Sequence, residues 1–362
     1  MYKALSLTFL IISVAVVAMA QREPDQVFNP SIKTIKLTKF GDPVSYPIIN
    51  LNSTDLLELN FDDMADQLAA HPDYKVKRRL IPILNFGAGT GGPTKRVLIL
   101  DTETTGLDWR AEKIIELAML AVDVDLQTGK PVGQVEVFEG FEDPKFPIPP
   151  EIVKLTGITD KDVKGQSLDE FAIQDMVARA DLIVAHNASF DRPFVERRME
   201  VFEHKAWACS FQGINWKAQG LGSAKLEFLC SEFGWFYDAH RAQVDCHALL
   251  RVLSSPLESD KSAQSSTGLL QLFKAAENAR TVVKAFGSPF ETKDKLKARG
   301  YRWDAEARVW STAVKSAEDL DAEAKWLKSE VYGGRSARIG LEIQDAMVQF
   351  SSRSGQSGDR VL

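Results

Sequence analysis

The chain has 362 residues, of which 44% are hydrophobic and 26% are charged. These proportions exclude a wholly disordered chain, a fibrous repeat and a multi-span membrane protein, and the length corresponds to two or three domains. The net charge of −6 excludes a uniformly basic nucleic-acid coat protein, so any contact with nucleic acid must be local.

The first 63 residues differ in pattern from the rest of the chain. Residues 1–20 combine a positive residue at Lys3, a short apolar run and an A-M-A ending, which is typical of a secretory signal peptide. Residues 21–63 alternate in places, as in L-E-L-N-F at 57–61, which predicts a β-like leader. Because a helical pattern starts at Met64, we interpret Met64 as the natural start and the preceding residues as a fused or misassigned leader. This interpretation predicts a cytoplasmic protein, whereas a genuine signal segment predicts an exported one.

Residues 64–95 are predicted to form a helical lead-in that ends in a glycine-rich linker. The linker, F-G-A-G-T-G-G-P at 86–93, precedes a strand and lacks the Lys-Ser/Thr ending of a phosphate-binding loop. It is therefore interpreted as a flexible spacer.

Strand and helix patterns alternate from 96 to 253, which predicts an α/β layered domain. The predicted strands cover residues 97–100, 114–124, 135–141 and 182–185. The predicted helices cover residues 168–180, 192–201, 224–233 and 241–253.

The chain has three cysteines, Cys209, Cys230 and Cys246, and each lies in an apolar pattern. They form no C-x-x-C pair, which argues against a disulfide framework or a zinc site and predicts buried thiols. This cysteine usage favours a reducing compartment.

The C-terminal third begins with a serine-rich linker at 254–268. Residues 269–335 are predicted to form a small α+β accessory domain that starts with a helix, and residues 336–362 are predicted to be a tail. The Q-L-F sequence at 271–273 is similar to part of a sliding-clamp peptide, but it lies within the helical pattern.

Two carboxylates, Asp101 and Glu103, directly follow the strand at 97–100, in the sequence D-T-E-T-T-G. Strand side chains alternate between faces, so these two are expected to point the same way and to repel each other. A divalent cation would relieve that repulsion, and carboxylate oxygens suit Mg²⁺ or Mn²⁺. The alternative is a pair of surface acids in a turn.

Two further motifs follow later in the chain. The sequence H-N-A-S-F-D at 186–191 follows the strand at 182–185 and places Asp191 at the start of a helix, where the alternative role is an N-cap. His240 precedes Asp245 by five residues in a run that turns helical, where the alternative is the polar face of an amphipathic helix.

Together the three motifs resemble, in order and separation, those of the DEDDh (DnaQ-like) 3′–5′ exonuclease family, which includes the proofreading epsilon subunit of bacterial DNA polymerase III. The resemblance covers residues 96–253, with supporting stretches at 113–117 and 155–159. It implies an RNase H-like mixed sheet flanked by helices. It also implies that two divalent ions, Mg²⁺ or Mn²⁺, are held by Asp101, Glu103, Asp191 and Asp245.

By the same resemblance, His240 is the expected general base, because an imidazole titrates near neutral pH. Thr104, Gly106, His186 and Asn187 are expected to lie close to the substrate, with His186 structural or substrate-facing rather than a metal ligand.

The implied function is metal-dependent 3′–5′ hydrolysis of nucleic acid, with DNA favoured, that releases nucleoside monophosphates in proofreading or repair. The expected partners are a nucleic-acid 3′ end and a DNA polymerase or sliding clamp, with no small-molecule cofactor. The alternatives are an RNA-processing 3′–5′ exoribonuclease and a nucleic-acid-binding module without catalysis.

The segment 282–303 has six Lys or Arg residues and two acidic residues within an acidic protein, and Tyr301 and Trp303 end it. Basic residues interleaved with aromatic residues suit contact with phosphates and stacking on unpaired bases. The alternative is a small domain whose tryptophans form its core and whose lysines are solvated. The residues predicted to contact nucleic acid are Lys293, Lys295, Lys297, Arg299 and Arg302.

Overall fold

The computed structural model describes residues 60–257 and 266–362. The signal-like segment 1–20 lies outside the described residues, as do nearly all of the β-like leader and most of the predicted linker 254–268. Helix α1 spans Phe61–Ala69 and strand β1 spans Arg78–Arg79, so Phe61 begins a helix and does not end a strand. Within the described part of the chain, no helix is long and apolar enough to cross a membrane.

The central sheet has five strands in the order β4-β3-β2-β5-β6. Strands β2, β3 and β4 pair antiparallel, whereas β5 pairs parallel to both β2 and β6. This is the predicted mixed sheet, with one strand, β6, that the sequence patterns did not indicate. The strands are β2 (Thr94–Thr104), β3 (Ile114–Asp125), β4 (Pro131–Phe141), β5 (Leu182–Ala185) and β6 (Trp207–Cys209).

Helices cover both faces of the central sheet. The helix predicted from 192 begins earlier, because Asn187 adopts a left-handed backbone (φ 72°) that turns the chain directly from β5 into α5. Residues 200–204 then form a 3₁₀ turn instead of continuing that helix. The helices are α2 (Pro150–Thr156), α3 (Asp160–Val163), α4 (Glu170–Arg179), α5 (Ala188–Arg198), α6 (Ser210–Gly213), α7 (Leu226–Glu232) and α8 (Ala242–Ser254).

The side-chain alternation of β2 divides the core into two layers. Val97 and Ile99 pack in the cluster that contains α7 and α8, and Leu98 and Leu100 pack in the cluster that contains α4 and α5. The next residues of β2 continue this alternation, so Asp101 shares the face of Val97 and Ile99. That alternation carries the carboxylates of β2 to the side of the sheet where α8 lies.

The lead-in is bound to the central domain by hydrogen bonds. Strand β1 pairs in parallel with β7 (Trp235–Phe236). In the glycine-rich linker, the Thr90 N–H and hydroxyl both donate to Asp125 Oδ2, at 2.8 and 2.5 Å, and the Phe86 N–H donates to the Gly133 carbonyl. The interpretation of residues 86–93 as a flexible spacer was therefore wrong, because this segment is fixed to the turn between β3 and β4.

Helix α9 (Gly268–Ala276) follows the short pair β8 (Pro256–Leu257) and β9 (Ser266–Thr267), and it belongs to the central domain. Leu269, Leu272 and Phe273 are buried in the cluster that contains α7 and α8. The predicted accessory domain thus begins after this helix and not at 269. The Q-L-F sequence is not an exposed clamp peptide, because two of its three side chains are in that core.

A second sheet forms the accessory domain, and all of its strand pairs are antiparallel, in the order β11-β12-β10-β13-β14. Two helices, α10 (Lys293–Ala298) and α11 (Ala317–Trp326), accompany it. The strands are β10 (Arg280–Ala285), β11 (Arg302–Asp304), β12 (Val309–Val314), β13 (Arg338–Gln344) and β14 (Gln356–Val361). The prediction of a tail at 336–362 was wrong, because this segment supplies two of the five strands.

Residues 345–355, which we call the return segment, connect β13 to β14 by crossing to the central domain. The Trp207 N–H donates to the Ala346 carbonyl at 2.8 Å, and Phe350 is buried in the cluster that contains α4 and α5. The fully buried Arg192 donates to the carbonyls of Ala346, Met347 and Gln349. The end of the chain therefore completes the core of the central domain.

Candidate active site

Three predicted carboxylates meet at the end of β2. One carboxylate oxygen from each of Asp101, Glu103 and Asp245 lies within 4.8 Å of the other two. Asp101 and Glu103 share a face of β2, as predicted, and Asp245 reaches them from the first turn of α8. Side-chain alternation along β2 and the packing of α8 on that face together produce this cluster.

Asp191 joins the cluster from the opposite side of the strand. It lies in the first turn of α5 with only 2% of its surface exposed. Its Oδ1 accepts hydrogen bonds from the Thr102 N–H at 3.1 Å and the Thr102 hydroxyl at 2.8 Å. Asn187 occupies the N-cap position, so the alternative that Asp191 is an N-cap was wrong.

His240 lies at the edge of the cluster, in a left-handed backbone conformation (φ 68°) just before α8. Its N–H donates to Asp245 Oδ2 at 2.8 Å, and the Arg241 N–H donates to the same oxygen at 3.2 Å. The other oxygen of Asp245 accepts a hydrogen bond from the Tyr237 hydroxyl at 3.0 Å. Asp245 is therefore held from both sides while the side chain of His240 stays exposed.

Glu116 is a fifth carboxylate that sequence reasoning did not assign to the site. It faces Glu103 across the β2–β3 ladder and is fully buried. Its carboxylate accepts from Arg241 Nη2 at 2.9 Å and from the Ala242 N–H at 3.0 Å, at the start of α8. The sequence signal that could have identified Glu116 is its position as a single acid within an apolar strand. A buried charge requires a partner, so such an acid points to a buried ion pair.

The carboxylates of Asp101, Glu103, Asp191 and Asp245 line one cavity of about 230 Å³. Of the residues predicted to lie near the substrate, Thr104, Gly106 and His186 line this cavity, and Asn187 does not. Asn187 instead occupies the N-cap position of α5, so its proximity to the substrate stays a prediction. Sequence reasoning also missed an apolar wall of the cavity, formed by Leu107, Ile152, Leu155 and Phe190.

Burial strongly perturbs the acids of the cavity. It raises the pKa of Glu103 to about 8 and the pKa of Asp191 to about 7, and it also raises the pKa of Asp245. The pKa of Asp101 is raised well above its usual range, first by burial and then by the charge of Asp191. Four oxygen-donor groups with raised pKa values, one buried and three half-buried, fit a site for divalent cations, because a cation would stabilise their ionised forms.

His186 has the environment of a structural residue. Its Nδ1 lies 2.8 Å from the Ser210 hydroxyl, and its ring packs edge-on against Phe211. Burial lowers the pKa of His186 to about 4, so the imidazole is neutral at pH 7. A neutral imidazole at this position can line the cavity, but it supplies no positive charge to a phosphate.

The five basic residues predicted to contact nucleic acid lie in the accessory domain, and none of them lines the cavity. Lys295 is paired with Glu330 at 2.9 Å, and Arg299 is paired with Glu323 at 3.1 Å. Lys293 and Lys297 instead line a separate groove, and Arg302 is exposed on β11.

Comparison with known proteins identifies the central domain. Residues 98–253 match the family model RNase_T, described as Exonuclease. These residues form an exonuclease domain. The match includes all four clustered carboxylates and His240. The exonuclease family generally uses divalent metal ions, and the acidic cluster fits that use.

The curated relatives of the exonuclease domain are much longer proteins. The chain is 33% identical over 174 residues to a DNA polymerase III PolC-type of Halalkalibacterium halodurans, covering 45% of this chain and 12% of that protein. It is 38% identical over 104 residues to the protein of the same name from Listeria innocua, covering 28% of this chain and 7% of that protein. The chain thus matches about a tenth of the length of these relatives.

Solved structures with likeness to the chain include two exonucleases. One is Exonuclease X in complex with 5′ overhanging duplex DNA, with 24% identity, a TM-score of 0.33 and coverage of 48% of this chain and 99% of that chain. The other is the zinc-bound E. coli ExoI–ssDNA complex, with 17% identity, a TM-score of 0.38 and coverage of 63% of this chain and 67% of that chain.

Proposed function

We propose that this protein is a metal-dependent 3′–5′ exonuclease that hydrolyses DNA from its 3′ end and releases nucleoside monophosphates. One observation carries the proposal: the carboxylates of Asp101, Glu103, Asp191 and Asp245 converge on one cavity inside an exonuclease domain, with His240 lining the same cavity. A nucleic-acid-binding module without catalysis has no need for four clustered acids that repel one another.

The four carboxylates would hold divalent ions, and we propose Mg²⁺ or Mn²⁺ because these ions prefer oxygen ligands. When bound, such ions stabilise the negative charge that develops on the attacking and leaving oxygens of a phosphodiester hydrolysis. Thr102 fixes the carboxylate of Asp191, and Tyr237 fixes that of Asp245, so both ligands are held before metal binds.

The proposed role of His240 is to accept a proton from the attacking water. Its exposed imidazole lines the cavity, and its backbone is tied to Asp245, so the ring can reach the water without disturbing that ligand. The apolar wall formed by Leu107, Ile152, Leu155 and Phe190 offers a surface for the terminal nucleoside. Thr104 is less available for this role, because its hydroxyl donates to the Gly106 carbonyl at 2.6 Å.

DNA is proposed as the substrate, in proofreading or repair, because the curated relatives are named as DNA polymerases. The same relatives support a DNA polymerase as the proposed partner. A cytoplasmic location is part of the proposal, and the three cysteines, which are free and buried, support it.

The test uses the purified full chain with labelled single-stranded DNA, mismatched duplex DNA and RNA, each blocked at one end. We expect mononucleotides to be released from unblocked 3′ ends of DNA only when Mg²⁺ or Mn²⁺ is present. Asp191→Asn keeps the acceptor oxygen for Thr102 but removes the charge, and we expect it to abolish release while circular dichroism stays unchanged. The matched control is Asp175→Asn, which changes an exposed acid on α4.

Two results would overturn this proposal: degradation from 5′ ends alone, or full activity of the Asp191→Asn variant. Degradation of RNA alone would instead establish the exoribonuclease alternative.

A further inference from the structure

The accessory domain carries a second groove, on the side of its sheet formed by β11 and β12. The groove has a volume of about 440 Å³ and is lined by Ser288, Phe290, Lys293, Lys297, Trp303 and Trp310. Phe290 is 74% exposed and Trp303 is 49% exposed. Aromatic side chains exposed to this extent around one groove mark a binding surface.

Phe290 and Trp303 do not belong to the core of the accessory domain. That core consists of other residues, among them Val283, Leu296, Tyr301 and Leu327. Trp303 and Trp310 face each other across the β11–β12 ladder with ring centroids 5.5 Å apart, and Trp310 packs partly on the core. Trp310 thus supports Trp303, whose ring remains half exposed at the groove.

Helix α10 separates its basic residues into two functional groups. Lys295 and Arg299 are neutralised by Glu330 and Glu323. Lys293 and Lys297, one helical turn apart, line the groove, and neither has an ion pair among the described residues. Lys293 Nζ lies 3.9 Å from the centroid of the Phe290 ring. Since no acidic side chain of the described residues lines the groove, its charge complements an anion.

An exposed ion pair links the hairpin that carries the two tryptophans to a loop at the rim of the active-site cavity. Glu306, in the turn between β11 and β12, accepts a hydrogen bond from Arg110 Nη2 at 2.9 Å. Arg110 belongs to the loop after β2, and the same loop carries Leu107, which is 85% exposed and lines the cavity. This contact brings the accessory hairpin next to a loop that borders the active-site cavity.

From these observations we infer that the groove binds single-stranded nucleic acid, with bases stacked on Phe290 and Trp303 and phosphates on Lys293 and Lys297. Stacking on exposed aromatic rings combined with lysines along the backbone is the general way in which single strands are bound without sequence preference. Only the role of the groove rests on the proposed function. In that role, the groove holds the part of the strand that lies upstream of the 3′ end, while the 3′ end occupies the active site.

The test measures binding without turnover, so it is independent of catalysis. The full chain carrying Asp191→Asn is titrated in EDTA against fluorescent oligothymidylate and oligouridylate of about 20 nucleotides, longer than the ~4–16 nucleotides that comparable sites cover. Phe290→Ala and Lys297→Glu change exposed side chains, and we expect each to weaken binding about fivefold or more. Lys297→Glu should also make the negative slope of log K against log salt concentration shallower by about 0.7.

Matched controls make the same changes outside the groove. Phe171→Ala removes an 82% exposed ring from α4, and Lys325→Glu reverses an exposed charge on α11, and both should bind as the parent does. The inference is overturned if Phe290→Ala and Lys297→Glu bind both oligonucleotides as tightly as the parent. Weakened binding in these variants together with no metal-dependent degradation by the wild-type chain would support the groove and reject the proposed function.

Discussion

The carboxylates of the active site are buried or half-buried beside others of the same charge, which affects the stability of the protein when no metal is bound. The pKa of Asp191 is raised to about 7 and that of Glu103 to about 8, both mainly by burial. The folded, metal-free protein therefore retains protons that the unfolded chain releases near pH 4. This stabilisation is complete below about pH 4 and is lost as the pH rises through 7 and 8.

We expect the metal-free protein to lose stability between about pH 5 and pH 8, on the order of 6 kcal/mol if both groups titrate independently. The measurement is urea unfolding in EDTA across this pH range. The Asp191→Asn/Glu103→Gln double variant should show a flatter dependence of the free energy of unfolding on pH. Subtracting its curve from that of the parent removes the contribution of other groups, such as His186. A parent protein whose stability is constant or rises over this range would contradict the assignment of raised pKa values.

His240 should be required for rate and not for folding. We expect His240→Asn to lower kcat by about 10²-fold or more, as loss of a general base does, and to change the pH–rate profile. Asn is the chosen replacement because it tolerates the left-handed backbone of this position (φ 68°). His204→Asn, which changes an exposed histidine on the 3₁₀ turn, is the control. A His240→Asn variant with an unchanged pH–rate profile would argue against the role.

At the scale of single residues, sequence patterns predicted the carboxylate cluster but not the residues that hold it in place. Asp101 and Glu103 were predictable because strand alternation places both acids on one face, whereas Asp245 was assigned through the resemblance of the three motifs to an exonuclease family. Glu116 was not, because its partner Arg241 is 125 residues away in the chain and sequence spacing does not report such pairs. The left-handed backbone of Asn187, which begins α5, was not predicted either.

The start of α8 depends on Glu116, which binds both the side chain of Arg241 and the N–H of Ala242. The same helix start carries the N–H groups that hold Asp245. Glu116 is therefore a positioning residue for the metal site: it fixes the helix that presents one ligand.

Replacing Glu116 with Gln should cost about 2 kcal/mol of stability, as the loss of charged hydrogen bonds does, and should lower kcat more than it raises KM. The readouts are urea unfolding and steady-state kinetics. Glu139→Gln removes the other, more exposed partner of Arg241 and should cost less than about 1 kcal/mol. Equal effects of the two variants would show that Glu116 has no special role.

Among the elements, length and burial decided which ones were predictable. Strand β3 is almost wholly buried over Ile114–Asp125, so its apolar run was recognisable. Strand β6 has only three residues, too few to show a period. Strand β14 has the sequence Q-S-G-D-R-V and lies at the edge of its sheet, so it lacks the apolar alternation of a half-buried strand and was predicted as part of a tail.

On the scale of the whole molecule, the return segment joins the two sheets through Arg192. This guanidinium is fully buried, and its Nε pairs with Glu196 at 2.6 Å while its other nitrogens bind carbonyls of the return segment. Because of this connection, the free energy of unfolding of the exonuclease domain depends on the accessory domain. No local sequence pattern indicates this dependence.

Arg192→Ala should destabilise the protein by about 3–5 kcal/mol, because it removes a buried guanidinium that binds Glu196 and three carbonyls of the return segment. It should also expose residues 345–355 to limited proteolysis. The control is Arg338→Ala, which breaks an exposed pair with Asp359 and should cost less than about 1 kcal/mol. If Arg192→Ala unfolds at the same urea concentration as the parent, the return segment does not couple the two domains.

The return segment has a consequence for protein synthesis. During translation, the exonuclease residues leave the ribosome before residues 345–355. Arg192 and the Trp207 N–H therefore lack their hydrogen-bond acceptors until these later residues are synthesised. Until then, the nascent exonuclease domain exposes the site that Phe350 later fills. A product shortened by a late nonsense codon would keep every catalytic residue and yet fail to complete its core, which makes it a substrate for cellular quality control.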